Sequence, residues 1–267
     1  MKIIETHGAS AAYFTEGAGR GVLFLHGTNS AGKSSFGHVV KAFRDRYQAI
    51  VPDYAGCGQS TLPDGEISVE RLADQAAAVV ADAADAPVAV VGTSLGAVVA
   101  AALAARHPAL VEKLVLTAPW ADGRDPRHAL MFDTWLHLEQ NRPRDATAFG
   151  LSHVLSPAFL TGLGSEKLAA LCARPSEKDA ARRIELGLRL DIRAHLAAIN
   201  VPTLVVALTQ DTLIPRYRVE KVHSLIRNSE YAEIESSHAV QIENPDVWAR
   251  TVRRFLDNAT LRGHARS

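Results

Sequence analysis

The stretch VAVVGTSLGAVVAA, residues 88–101, carries the clearest structural pattern in this chain. It begins with β-branched residues, passes through the pentapeptide GTSLG, and continues as an alanine-rich segment. This order predicts a buried strand, a tight turn and a helix, with Ser94 at the turn. The flanking glycines allow a sharp bend, and the helix N-terminus favours negative charge beside the serine oxygen. The G-x-S-x-G pattern in this setting predicts a nucleophilic serine, and the alternative is a plain glycine-rich turn.

Apolar runs of strand length recur on both sides of this stretch. The first five are almost continuously apolar, as expected for strands that are covered on both faces. The six runs are 21–25, 47–52, 88–92, 113–118, 203–208 and 232–235. Helical patterns lie between them, including Phe36/Val39/Val40/Phe43, 69–83 and 97–107. The alternation predicts an α/β fold with a mostly parallel sheet that is flanked by helices.

The alternation of strands and helices stops after the strand in LVLTAPW, residues 114–120. The segment 120–195 shows helical patterns that prolines interrupt, and it contains no strand-like run. We therefore expect the core in two parts, 1–119 and 196–260, with a helical cap at 120–195 inserted between them. The last residues, 261–267, lack periodicity and are expected to form a flexible tail.

A serine nucleophile needs a general base, and the base needs a carboxylate that orients it. Asp211 and His238 each follow one of the last two strand-like runs. Carboxyl ends of parallel strands meet at the sheet edge where open α/β sheets bind ligands. The alternatives are a loop-capping role for Asp211 and an exposed loop position for His238. Glu235 and Glu243 are the other candidate acids.

These motifs together resemble the α/β-hydrolase superfamily, specifically its capped esterase, thioesterase and C–C hydrolase branch. The resemblance extends from residue 7 to about residue 256. It is carried by His26-Gly27, Asp53-x-x-Gly56-x-Gly58-x-Ser60, the Ser94 turn, LVLTAPW, Asp191 with INVPTLVV, Asp211, and His238 with ENPDVW. Serine at the nucleophile position argues against epoxide hydrolase and haloalkane dehalogenase chemistry. One departure is SSH, residues 236–238, where many relatives have glycine before the histidine.

The resemblance implies a catalytic triad of Ser94, Asp211 and His238, with the backbone N–H groups of Thr28 and Leu95 as the oxyanion hole. It implies hydrolysis, through an acyl-enzyme, of an ester, thioester or related carbonyl bond in a small, partly apolar metabolite. Neither a cofactor nor a metal ion is expected. The helical cap would cover the serine and select substrates.

Other activities remain open, because one fold carries many functions. A lyase, a cyclase or a cofactor-free oxidative enzyme could keep the same fold and triad without net hydrolysis. A ligand-binding protein with a vestigial triad is the second alternative.

A competing motif is HGTNSAGKSS, residues 26–35, which contains the P-loop pattern G-x-x-x-x-G-K-S starting at Gly27. A P-loop also needs a strand-end aspartate for Mg²⁺, and Asp53 or Asp211 meets that need. Nucleotide binding, however, explains neither the G-x-S-x-G turn nor the histidine after the last strand. We therefore expect this segment to supply the oxyanion loop, with Lys33 as an ordinary loop residue.

The charge balance argues against nucleic-acid and membrane partners. The chain has 267 residues, with 29 basic and 29 acidic side chains and no long basic run. The pair Arg182-Arg183 lies in a mixed-charge helical stretch and is expected to be solvated. The uncharged stretch 86–105 approaches the length of a membrane span, but its proline and glycines favour a strand, a turn and a helix. We expect a small-molecule substrate and a monomer or homodimer.

The cysteines and histidines do not indicate a structural framework or a metal site. Cys57 and Cys172 are far apart, which argues against a disulfide framework. The eleven histidines show no HExxH or similar spacing. The first residues, MKIIETHGASAAYF, contain no apolar core of the signal-peptide type, so we expect a cytoplasmic protein.

Overall fold

The computed structural model describes residues 1–6, 8–62 and 65–258. The tail predicted at 261–267 lies outside the described residues, as do the last two residues of the predicted core, 259 and 260. Within the described part, the chain forms a sheet that helices flank, which confirms the predicted α/β fold.

The sheet has eight strands in the described residues. They are β1 (Lys2–Thr6), β2 (Ala9–Gly17), β3 (Arg20–Leu25), β4 (Tyr47–Pro52), β5 (Val88–Thr93), β6 (Val111–Thr117), β7 (Thr203–Leu208) and β8 (Ser229–Ile234). Their order across the sheet is β1-β2-β4-β3-β5-β6-β7-β8. Strands β3 to β8 are parallel, whereas β1 and β2 pair antiparallel at one edge. The carboxyl ends of the parallel strands therefore meet along one edge of the sheet.

Strands β1 and β2 were not predicted as strands from the sequence. Their residues read KIIET and ASAAYFTEG, so polar and small side chains interrupt the apolar positions. An edge hairpin is stabilised by backbone pairing with its neighbours, here β2 with β4, and needs no continuous apolar run. The other six strands lie within a few residues of the predicted runs.

The helices are α1 (Gly32–Phe36), α2 (Val69–Ala83), α3 (Leu95–Arg106), α4 (Pro126–Asn141), α5 (Pro143–Val154), α6 (Pro157–Cys172), α7 (Ala180–Arg189), α8 (Arg193–Ala198), α9 (Arg216–Leu225), α10 (Val240–Glu243) and α11 (Pro245–Asp257). The uncharged stretch 86–105 forms β5 and most of α3, as expected for buried core. None of the described helices combines the length and the apolar character that a membrane span requires.

The α-helix predicted from the spacing of Phe36, Val39, Val40 and Phe43 is wrong. Helix α1 ends at Phe36, and a short 3-10 turn covers Val40–Ala42. Gly37 and two adjacent β-branched residues give this run low helix propensity. All four apolar side chains are nevertheless buried, because successive turns present the same face to the core.

Between β6 and β7 the described chain forms the five helices α4 to α8. The start of this helical segment meets the link between α7 and α8 at an isolated backbone bridge between Asp122 and Asp191. Asp191 also binds the guanidinium groups of Arg124 and Arg193, at 3.1 Å and 2.6 Å. The helical character of the segment agrees with the sequence, and its treatment as a separate cap at 120–195 stays a prediction.

Candidate active site

Ser94 lies at the turn between β5 and α3, in a backbone conformation that few non-glycine residues adopt. Its φ is 57° and its ψ is −126°. Such conformations are strained and persist only where the surrounding structure enforces them. The Ser94 N–H donates to the carbonyl of Thr117 on the neighbouring strand at 2.9 Å, which anchors the turn to β6. The turn presents the serine at the edge of the sheet where the parallel strands end.

Both glycines of the pentapeptide are required by close backbone contacts. A Cβ atom at Gly96 would lie 1.9 Å from the Leu25 carbonyl oxygen, and one at Gly92 would lie 2.2 Å from the Gly96 carbonyl oxygen. Both carbonyl oxygens belong to the backbone, so a change of side-chain rotamer would not relieve these overlaps. The G-x-S-x-G pattern therefore reflects how closely α3 packs on β5 and on the end of β3.

Asp211 and His238 follow β7 and β8, and the fold brings their side chains into contact. The Nδ1 atom of His238 lies 2.6 Å from Oδ2 of Asp211. The other carboxylate oxygen of Asp211 accepts the N–H groups of Leu213 and Ile214, each at 2.9 Å. The Asp211 side chain is fully buried. A carboxylate in this position orients the imidazole with its Nδ1–H toward the acid and leaves Nε2 free as a base.

Ser94 and His238 line the same cavity, which has a volume of about 420 Å³. Among the hydrogen bonds of the described residues, none joins the Ser94 hydroxyl to the imidazole. In unliganded enzymes, hydrogen bonds between nucleophile and base are often long and shorten when substrate binds. The site thus holds a serine, a histidine and a buried carboxylate, with the serine and the histidine open to the same space.

The loop after β3 passes directly beside the serine. A Cβ atom at Gly27 would lie 3.4 Å from the Ser94 Cβ and 3.8 Å from its hydroxyl oxygen. The next residue, Thr28, is 5% exposed, and its N–H has no hydrogen-bond partner within the described ranges. Leu95 is the first residue of α3, where N–H groups lack an acceptor one turn earlier. The N–H groups of Thr28, in the loop beside the serine, and of Leu95, the residue after it, are thus not used in secondary structure. Such donors can stabilise a negatively charged oxygen.

His26 holds this loop in place through hydrogen bonds to the backbone. Its side chain is fully buried, and burial lowers its pKa to about 3. In the neutral ring, Nδ1–H donates to the Gly27 carbonyl at 2.9 Å, and Nε2 accepts the Tyr54 N–H at 3.2 Å. His26 therefore fixes the backbone immediately before Thr28.

The P-loop pattern in the same segment has one of its backbone N–H groups bound to a side chain of the protein. The N–H of Gly32 donates to Asp53 Oδ1 at 2.8 Å, and the Gln59 N–H donates to Asp53 Oδ2 at 3.3 Å. The Asp53 carboxylate is therefore engaged with backbone donors. Lys33 and Ser34 are exposed on α1, which has only five residues.

Neither of the other candidate acids contacts His238. Glu243 accepts the backbone N–H of Ser156 at 2.5 Å. Glu235 is exposed to solvent. The structure thus brings Asp211, and neither glutamate, to the imidazole.

The cavity is bounded on one side by the ends of the sheet and on the other by helices from the segment between β6 and β7. The helical side is mainly apolar, and the cavity is also lined there by Thr147 and by the charged residues Arg174 and Glu177. The apolar residues on this side are Trp135, Ala146, Leu151, Val154 and Leu171. No group of three or more histidine, cysteine or acidic side chains in the described residues is arranged to hold a metal ion.

The prediction that Arg182-Arg183 is solvated is wrong for Arg183. Its side chain is fully buried, and its Nε donates to the Thr28 carbonyl at 2.7 Å. Sequence reasoning missed it because α7 is strongly amphipathic and the two arginines occupy different faces of the helix. The available signal was the helical phase of Arg183, which matches that of the buried residues Ala180, Ile184 and Gly187.

Comparison with known proteins agrees with this architecture. The sequence profile of the alpha/beta hydrolase fold family matches residues 21–245. The chain therefore belongs to the α/β-hydrolase fold family, as the motifs indicated.

Three similar proteins illustrate the range of that family. A pyrrolizixenacetamide deacetylase of Xenorhabdus hominickii is 28% identical over 260 residues, covering 96% of this chain and 98% of that protein. RutD of Caulobacter segnis, a proposed carbamate hydrolase, is 26% identical over 250 residues, covering 91% of this chain and 93% of that protein. The structure of the enol-lactonase from Burkholderia xenovorans LB400 matches with a TM-score of 0.85 at 20% identity, covering 96% of this chain and all of that one. That structural likeness shows the fold alone.

Proposed function

We propose that this chain is a serine hydrolase that forms an acyl-enzyme on Ser94. The observation that carries the proposal is the 2.6 Å contact between His238 and a buried Asp211, beside a serine held at φ 57° in the same cavity. A strained serine next to an oriented imidazole is the arrangement that activates a weak hydroxyl nucleophile. The hydrolase names of the similar proteins support a hydrolytic enzyme.

In the first half of the proposed reaction, the Ser94 oxygen attacks the substrate carbonyl carbon. Nε2 of His238 accepts the hydroxyl proton, and Asp211 stabilises the imidazolium that forms. The carbonyl oxygen becomes negatively charged in the tetrahedral intermediate. The N–H groups of Thr28 and Leu95 donate to that oxygen, where such donors contribute about 10²–10³-fold to kcat each.

The intermediate then collapses as the bond between the carbonyl carbon and the leaving group breaks. His238 returns the proton to the leaving group, and the acyl group remains on Ser94. Water repeats the sequence: His238 takes its proton, the oxygen attacks the acyl carbon, and Ser94 leaves with the proton back on its hydroxyl. The leaving group receives the serine proton, and water restores that proton to Ser94 through His238. The protons therefore balance, and the proposed reaction needs no cofactor.

The cavity supports a small, partly apolar substrate. Its volume of about 420 Å³ lies in the range of small-ligand sites. The proposed substrates carry an ester, thioester or related carbonyl bond. The names of the relatives extend this set to amides and carbamates, because a deacetylase acts on an acetamide and a carbamate hydrolase on a carbamate. In this proposal, helices α4 to α7 form the cap that selects the acyl or leaving group.

The test is covalent labelling with a fluorophosphonate, together with turnover of short p-nitrophenyl esters and of an aryl acetamide. The wild type is expected to be labelled once and to turn over at least one class of substrate. Ser94→Ala is expected to lose the label and at least about 10⁴-fold in kcat. Ser152→Ala, which removes an exposed hydroxyl on α5, is the matched control and should behave as the wild type.

Two outcomes would contradict the proposal. Labelling that persists in Ser94→Ala would remove this serine as the nucleophile. Labelling without turnover of any ester, thioester, amide or carbamate would instead favour a lyase, a cyclase, a cofactor-free oxidative enzyme or a ligand-binding protein on the same fold.

A further inference from the structure

The loop that carries the Thr28 N–H is held by a short segment between β6 and β7. Asn29 makes two of the contacts: its Oδ1 accepts the Glu177 N–H at 2.8 Å, and its Nδ2 donates to the Ser176 hydroxyl at 3.3 Å. Arg183 makes the third, from its Nε to the Thr28 carbonyl at 2.7 Å. Two consecutive residues of the loop are therefore tied to residues more than 140 positions away in the chain.

Arg183 is an unusual residue to find in this position. Its side chain is fully buried, and its three hydrogen-bond acceptors are backbone carbonyls, of Thr28, Gly56 and Lys178. No carboxylate of the described residues lies within 4.0 Å of the guanidinium. A buried charge without a counter-ion is expensive, so partial negative charges of the carbonyls must compensate it. Such a charge is expected to be retained for a reason other than stability.

The guanidinium contacts Thr28 at its carbonyl oxygen, not at the N–H that would meet the proposed oxyanion. Holding the Thr28 carbonyl restrains the peptide unit that follows Thr28, and His26 restrains the preceding one, which contains the Thr28 N–H, through the Gly27 carbonyl. The positive charge also adds to the potential at a buried site, where electrostatic effects are stronger than in water. Burial lowers the pKa of the neighbouring His26 to about 3, and the Arg183 charge acts in the same direction.

We propose that Arg183 is a positioning residue for the oxyanion hole, with Asn29 as its partner in holding the loop. It acts through Thr28 by restraining the loop that carries the N–H for the developing oxyanion and by supplying positive charge beside that loop. This inference rests on the proposed function, because it needs an oxyanion to form at Ser94. It also gives the helical segment a part in catalysis in addition to covering the cavity.

The test compares Arg183→Met with Arg182→Met. The two changes remove neighbouring guanidinium groups from the same helix, and Arg182 donates to the Gly65 carbonyl, away from the Thr28 loop. We measure kcat and KM on the ester that the wild type hydrolyses best, the rate of fluorophosphonate labelling, and Ki for an arylboronic acid that forms a tetrahedral adduct on serine. Thermal unfolding identifies variants that have lost the fold.

For Arg183→Met we expect kcat to fall about 10- to 100-fold, as for a misplaced oxyanion donor, while KM changes less than about twofold. The labelling rate should fall and the boronic acid Ki should rise by similar factors, because both reflect the tetrahedral state. Arg183→Lys keeps the charge with fewer donors and should recover part of the loss. Arg182→Met should stay within about twofold of the wild type in every measurement.

If Arg183→Met does not fold, Arg183→Lys and Asn29→Ala carry the test, and each should lower kcat about 3- to 10-fold at unchanged KM. The inference is overturned if folded variants keep the wild-type kcat and Ki, or if KM rises while kcat stays constant. These results differ from a failure of the proposed function, in which Ser94→Ala would itself remain active or labelled.

Discussion

The Nδ1 atom of His238 lies 2.6 Å from Oδ2 of Asp211, although 27 positions separate the two residues in the chain. They meet because β7 and β8 are adjacent and parallel, with Leu208 paired to Ile234 at their carboxyl ends. The loops that follow these paired ends begin side by side. Backbone N–H groups then hold the other carboxylate oxygen, so the aspartate presents one oxygen to the imidazole in a fixed direction.

Asp211→Asn should abolish most of the activity while leaving the fold intact. The amide oxygen is expected to accept the Leu213 and Ile214 N–H groups, which turns the amide NH2 toward Nδ1 of the imidazole. The histidine is then held in the wrong tautomer, and no carboxylate stabilises the imidazolium. We expect kcat to fall about 10⁴-fold, by analogy with the same change in a serine protease triad. Steady-state kinetics on an activated ester measure this effect.

The matched control for Asp211→Asn is Glu243→Gln, which changes the carboxylate that lies close to His238 in sequence but binds the Ser156 N–H. It should change kcat less than about fivefold. A large loss in the control together with a small loss in Asp211→Asn would mean that the wrong acid has been identified.

Gly96→Ala should destabilise the protein by about 2 kcal/mol or more, as expected for overpacking against rigid backbone. The added Cβ would lie 1.9 Å from the Leu25 carbonyl oxygen and 2.6 Å from the His26 carbonyl oxygen. Because the displaced backbone leads into the loop that carries the proposed oxyanion donor, Thr28, activity should fall as well. Urea-induced unfolding gives the change in free energy.

Gly162→Ala is the control for this substitution. Gly162 lies in α6 with no heavy atom within 4 Å of the added Cβ, so the change should stabilise the protein by about 0.5–1 kcal/mol. If both alanine variants were equally stable, the close packing of α3 on the end of β3 would not be a constraint.

His26 should make the protein less stable as the pH falls. Its pKa is about 3 in the folded state and 6.5 for the ordinary side chain, so the unfolded chain binds more protons between these values. The contribution of His26 to the free energy of unfolding is therefore complete above about pH 6.5. It is lost toward pH 3, at about 1.4 kcal/mol per pH unit within that window.

Urea unfolding of the wild type and of His26→Gln at pH 7.5, 5.5 and 4.5 measures this contribution. The variant should be less stable at pH 7.5 but should lose less stability on acidification. His137→Gln, at an exposed position on α4, should keep the wild-type pH dependence. The interpretation of His26 as a buried, neutral side chain is wrong if the free energy of unfolding changes with pH equally in the wild type and in His26→Gln.

Lys33→Ala should leave hydrolytic activity within about twofold of the wild type. The lysine is exposed on α1, and the neighbouring Gly32 N–H already donates to Asp53. Isothermal titration with Mg²⁺ and ATP should show no binding to either protein. Binding that Lys33→Ala abolishes would restore the P-loop interpretation of residues 26–35.

Local patterns in the sequence were sufficient to predict most of the core. The six runs that became β3 to β8 are apolar because strands covered on both faces exclude polar side chains, and this property is visible without knowing any partner. The turn at Ser94 was equally predictable, because its glycines are a direct consequence of backbone crowding.

Features that depend on contacts between distant residues required the tertiary structure. The spacing of Phe36 to Phe43 indicated burial correctly but not the kind of turn, since both a helix and successive short turns can bury that face. The choice of Asp211 over Glu243 depends on which loop ends lie side by side, which nearness in sequence does not reveal.

The α/β class, the parallel core and the position of the serine are therefore readable from the sequence, because burial on both faces and tight turns restrict residue types locally. The completion of the sheet by β1 and β2, and the contact between Asp211 and His238, are visible only in the folded protein. The same holds for the burial of Arg183 against Thr28, from a position 155 residues further along the chain. Hydrogen bonds between such distant residues depend on how elements pack, and the helical phase of Arg183 indicates burial without identifying its partner.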